Sequence, residues 1–237
     1  MFMARYNRAK ISIFSMRHRR TAVLAAVALG LAAGGLTACR QAAVETETEA
    51  DAGLTALAMP DTLFRSGDLV FRRGRSAVSD LVLLCEDQPV YSHVGLLAYT
   101  PDGWRVVHAA PGEADARGDY DRVVAEPPAV FWQAQRCSAG GLYRLPLTEA
   151  ERERLNTEAL LLAAEGRPFD HRFDEHDTTA LYCTELICFL FGKIGLDPSQ
   201  ARRTRDRFLP FTPPLILPGH LLAHPDLQTV WRFPKNA

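Results

Sequence analysis

The sequence predicts an α+β domain in which a small antiparallel sheet packs against helices, and three observations carry that expectation. Two apolar segments, 91–99 and 104–110, flank the turn Pro101-Asp102-Gly103 and read as a hairpin. Residues 149–164 read as a long helix, with Thr148 as N-cap and Gly166 as its stop. Finally, Leu186, Ile187, Leu190, Phe191 and Ile194 recur at helical spacing before Gly195, so a helix begins close to Cys183. Strands in a run with helices at either side suit an α+β layer arrangement.

The remaining elements follow in order. Residues 66–72 give a turn and a short strand, and 76–85 an amphipathic helix with Val78, Leu81, Val82 and Cys85 inward. Residues 111–120 form a polar loop. Short strands follow at 121–125 and 141–145, with 127–134 helical between them. Residues 168–177 lead to the Cys183 helix. The tail, 201–237, is Pro-rich, with a short apolar segment at 218–222 and a last strand at 229–233.

The first forty residues have a different character. Met16-Arg17-His18-Arg19-Arg20 is a basic start and 21–35 a short apolar run, followed by Leu36-Thr37-Ala38-Cys39. This is the layout of a secretory signal, and the run is short for a membrane span. It also resembles a bacterial lipobox, which implies cleavage before Cys39 and lipid attachment to its sulfur. The expected division is therefore a signal peptide at 1–38, an acylated Cys39 with a flexible acidic tether at 39–60, and one domain at 61–237. Met16 gives a more typical signal length than Met1. Six of the chain's 27 basic residues and none of its 28 acidic ones lie in 1–38, so the mature chain carries 21 basic against 28 acidic residues. That balance, without a basic stripe, excludes a nucleic-acid partner. Arg40 after the cysteine resembles the sorting pattern of an outer-membrane lipoprotein facing the periplasm.

The chemistry gathers around Cys183. A thiol at a helix N-terminus feels unsatisfied N–H groups and the positive dipole end, both favouring thiolate. His93 at the start of one hairpin strand and His108 near the end of the other fall opposite or diagonal to each other. Together they suggest Cys183 as nucleophile, His93 as base and His108 as its orienting partner. Inert core residues are the plainer reading of each alone. Glu185 reads as a helix N-terminal charge, and Trp104 and Trp132 as core. Cys188 falls on another helix face, and spacing leaves a Cys85–Cys137 disulfide open.

Gly67-Asp68-Leu69-Val70-Phe71, Ser92-His93-Val94-Gly95, Gly166-Arg167-Pro168-Phe169-Asp170 and Tyr182-Cys183-Thr184-Glu185-Leu186 occur in that order. Together, over about residues 62–196, they resemble the permuted NlpC/P60 papain-like family, which includes the YiiX-like hydrolases. The resemblance implies a circularly permuted papain-like fold, since His precedes Cys. It also implies a cysteine hydrolase using no cofactor, with Cys183 as nucleophile, His93 as general base and a third polar residue at His108. Relatives often carry Glu at that last position. Tyr182 would help shape the oxyanion site. The implied substrates are peptide, amide or lipid-ester groups of the envelope, with the N-terminal lipid as membrane partner.

Two other readings stand beside this one. In the first, His220/His224 and His171/His176 supply a metal hydrolase, although Pro218 and Pro225 leave little helix and no His-Glu-x-x-His run is present. In the second, the protein is a non-catalytic envelope-binding lipoprotein with a papain-like fold, and a thiol of ordinary pKa at Cys183 would favour it.

Overall fold

Every strand of the central sheet runs antiparallel to its neighbours. The computed structural model describes residues 60–112, 120–204 and 214–234. The chain divides into two units, 1–45 and 46–237, and all described residues belong to the second. The expected signal, Cys39 and nearly all of the tether lie outside the described residues, as does part of the 111–120 loop.

The elements are β1 (Leu69–Gly74), α1 (Ala77–Cys85), β2 (His93–Thr100), β3 (Gly103–Ala109), β4 (Val123–Glu126), α2 (Pro128–Phe131), β5 (Cys137–Arg144), α3 (Glu149–Glu165), α4 (Cys183–Gly192), α5 (Pro218–Leu222) and β6 (Gln228–Phe233). Strand order is β4-β3-β2-β1-β5-β6. This is the expected α+β arrangement of a small antiparallel sheet against helices. Among the described residues no helix is long and apolar enough to cross a membrane.

Period-two alternation gives the sheet two buried faces. Leu96 and Val94 of β2 and Phe71 of β1 face α3 and α4, meeting Leu155, Ala159, Leu186 and Ile187. Leu97, Val70, Val106 and Leu142 point the other way, onto Phe131, Trp132 and Phe233. Trp132 Nε1 donates to the Phe71 carbonyl at 3.0 Å, so this indole is core, as expected.

The helix ends follow from local chemistry. Thr148 and Glu151 form a reciprocal capping box on α3, and Gly166 ends it in the left-handed conformation at φ 61°. Helix α4 stops at Gly192, earlier than the apolar spacing implies. Gly195, at φ 77°, closes the following turn, where the Leu196 N–H donates to the Phe191 carbonyl at 3.1 Å.

A buried cluster joins the start of β1 to its surroundings. Asp68, 0% exposed, accepts from Arg144 Nε at 2.7 Å and Nη2 at 2.6 Å, with Arg152 Nη1 at 3.5 Å. The aspartate of the Gly-Asp-Leu-Val-Phe run is thus a structural tie between β1, β5 and α3. Among the described residues Cys85, Cys137, Cys183 and Cys188 form no disulfide, so the pairing left open by spacing is not made.

Candidate functional site

His93 begins β2 and is paired across the strands with Arg72 of β1. His108 lies on β3 opposite Gly95, as the Leu96–Val107 pairing requires, and is therefore diagonal to His93. A Cβ at Gly95 would meet Val106 Cγ1 at 2.5 Å and His108 Cβ at 3.1 Å. The glycine of the Ser-His-Val-Gly run therefore makes room for the imidazole crossing above it. His93 Nε2 and His108 Nδ1 come within 3.0 Å, and both rings pack edgewise or tilted against Phe131.

The line of polar groups extends beyond what the sequence suggested. His108 Nε2 lies 3.1 Å from Glu126 Oε1, an approach without good hydrogen-bond alignment. Arg136 Nη1 in turn donates to both Glu126 oxygens, at 3.0 and 2.8 Å. Burial would raise the Glu126 carboxyl, but His108 and Arg136 outweigh it and hold the group below the ordinary carboxylate range. The register pairs His108 with Val124, two residues from Glu126, and only strand pairing known in advance could have revealed this. Arg72 was also missed. It is 3% exposed, sits 4.6 Å over the Phe131 ring and donates to the Phe131 carbonyl at 3.0 Å.

Cys183 arrives from the opposite side. Helix α4 packs on the Val94–Leu96 face, whereas the two imidazoles stand on the Phe131 face. The thiol reaches the sheet at its rim, where the Val94 and Thr184 N–H groups point to the sulfur. Cys183 and His93 do border one cavity of about 320 Å³. Its walls are mostly apolar: Leu81 and Val82 of α1, Phe169 and Phe173 of the loop before α4, and Leu215 and Ile216 before α5.

The electrostatics oppose an ion pair at its floor. Burial pushes the Cys183 thiol up to about 11, over the lowering effect of the N–H groups and of Arg72. Burial, then Arg72 and His108, push His93 well below its ordinary 6.5. Both shifts oppose moving the proton from thiol to imidazole and favour the neutral forms.

Tyr182 also lines the cavity, but its hydroxyl is engaged. It accepts from the Ile216 N–H at 3.1 Å and donates to Glu175 Oε1 at 3.3 Å. Thr184 Oγ1 donates to the Ile216 carbonyl at 2.7 Å, so residues 182–184 anchor the wall before α5. Of the other histidines, His171 also lines this cavity, while His220 lines a neighbouring pocket. His220 bonds Thr204 and accepts from the Leu217 N–H, His224 accepts from the Asp226 N–H, and His171 pairs with Asp121.

No family model matches the chain, and no curated protein matches it. Among solved structures it is similar to the metalloprotein yiiX from Escherichia coli O157:H7, DUF1105, with a TM-score of 0.57 over 70% of this chain and 96% of that one. The two share a fold. At 18% identity the relationship is a distant structural homology.

These findings overturn the cysteine-hydrolase expectation and the thiol-protease label that goes with it. The structural relative is described as a metalloprotein. In this chain desolvation favours the protonated thiol, and the His93 Nε2 faces His108. The physical reason is desolvation of the Cys183 sulfur among the apolar cavity walls, which outweighs the helix N-terminus although the residue is only half-buried. Among the described residues no group of three or more His, Cys, Asp or Glu side chains is placed to hold a metal ion.

Proposed function

We propose that this chain is a non-catalytic binding lipoprotein of the cell envelope, with a permuted papain-like fold that holds an apolar ligand in the cavity beside Cys183. The observation that carries this reading is the cavity itself. It has about 320 Å³ of space within apolar walls, over a floor of neutral thiol and imidazole. The order of elements supports the permuted reading, with the histidine strands β2 and β3 preceding the Cys183 helix α4. The run Leu36-Thr37-Ala38-Cys39 supports lipid attachment at Cys39, and Arg40 supports the outer membrane. Cys183, His93, His108 and Tyr182 then serve as floor and frame of the cavity.

The metal for which yiiX is named does not fit here. The facing nitrogens of His93 and His108 are bonded to each other, and the Arg72 guanidinium beside them disfavours a cation. Among the described residues no third donor converges on them.

The test is titration with a neutral apolar fluorophore, N-phenyl-1-naphthylamine. The parent chain should bind it, and Val82→Trp, which fills the cavity from α1, should weaken binding at least about tenfold with an unchanged circular-dichroism spectrum. Cys183→Ala should bind as the parent does. Equal binding by Val82→Trp would place the probe elsewhere and sink the reading.

A further inference from the structure

Helix α1 forms one wall of the cavity and residues 215–218 the wall facing it. Leu83 is the one buried residue of α1, while Val78 and Leu84 are 51% and 66% exposed. With so little burial along its length, α1 depends on its ends. At the first, the Ser76 hydroxyl accepts from the Ser79 N–H at 3.2 Å. At the second, Glu86 Oε1 accepts from the Gly219 N–H at 2.7 Å, in the first turn of α5. A Cβ at Gly219 would lie 2.3 Å from Glu86 Oε2, so glycine is what lets the carboxylate lie against the backbone there. This bond ties the two walls together one residue beyond Cys85 and Pro218, where Glu86 and Gly219 line a neighbouring pocket.

We infer that the Glu86 carboxylate and the Gly219 amide form a proton-sensitive clasp that sets how fast ligand enters and leaves the cavity. The inference rests on the cavity being a binding site and adds its regulation. An ionised acceptor makes a hydrogen bond roughly twice as strong as a neutral one, so protonation loosens the tie. The groups facing Glu86 are Asp87 beside it, Arg202 from the turn after α4, and His220 on α5. Burial raises the Glu86 carboxyl to about 7, against the Gly219 N–H, with Asp87 adding to the rise. His220 is lowered by burial, then by Arg203 and Arg202, with Asp87 opposing. The clasp is therefore closed above pH 7 and loosened below it.

The experiment measures dissociation of N-phenyl-1-naphthylamine from the full chain by stopped flow between about pH 5.5 and 8.5, around the expected midpoint near 7. The expected result is a dissociation rate rising about five- to tenfold as pH falls, centred near 7. Glu86→Gln should dissociate fast at every pH. Gly219→Ala, whose methyl displaces the carboxylate, should do the same without altering the titrating group. His220→Gln should keep the parent's midpoint. A parent chain that binds the probe with a pH-independent rate overturns the clasp, and so does a pH dependence that survives in Glu86→Gln and Gly219→Ala. A chain that binds no probe at any pH overturns the binding reading itself, with the clasp as its dependent.

Discussion

A thiol at a helix N-terminus meets two opposing influences, and Cys183 shows which one wins. The Val94 and Thr184 N–H groups favour the thiolate, but loss of water around the sulfur is the larger effect, and the group rises to about 11. Iodoacetamide should therefore label Cys183 only at or above the pH of an ordinary thiol, with no reactivity persisting below pH 7 and no dependence on His93. Labelling well below pH 7 that is lost in His93→Ala would restore a thiolate–imidazolium pair and remove the binding reading. Glu185, two residues on, gives a second test. Burial raises its carboxyl to about 8, the Tyr182 N–H opposing and Asp170, Glu175 and Asp174 reinforcing. The folded chain thus holds a proton that the unfolded chain releases. Its contribution to stability is full below about pH 4.5 and lost progressively as pH rises to about 8. Glu185→Gln keeps an oxygen for the Tyr182 N–H and removes the titration. Relative to the parent it should gain stability between pH 6 and 9, by about a few kcal/mol at most, as read from urea midpoints at each pH.

At the scale of elements, the parts legible in the sequence were those written in local chemistry. The 91–110 hairpin, α3 with its Thr148 cap and Gly166 stop, and the start of α4 at Cys183 all depend on neighbours within a few residues. What was not legible depended on pairing between distant strands. The position of Glu126 behind His108 requires the β3–β4 register, and Arg72 beside His93 requires the β1–β2 register. The side from which α4 approaches is set by packing, which alternation along one strand does not reveal. Asp68 illustrates the same point, since its motif reads as a family signature while its contacts read as a fastening. Asp68→Asn leaves Arg144 and Arg152 without their buried counter-charge and should destabilise the fold by about 3–5 kcal/mol, measured by chemical denaturation. A loss below about 1 kcal/mol would mean that solvent replaces the carboxylate.

The whole molecule keeps the α+β plan of a small antiparallel sheet packed against helices and places an apolar chamber where chemistry was expected. The fold alone did not decide function, because the decisive quantities are proton positions at a rim between two faces of the sheet. The strand order carries a further consequence, for how the chain folds. Strand β1 is central, yet its two partners lie at very different distances along the chain: Leu69 pairs with Leu96 on one side and with Tyr143 on the other. The β1–β4 half can assemble from contiguous sequence, but it leaves one edge of β1 open until β5 docks. That edge carries Leu69, Val70 and Phe71, all fully buried at the end. An incompletely folded chain therefore offers a sticky apolar strand to other molecules, and the docking of Cys137–Arg144 is the step that removes it.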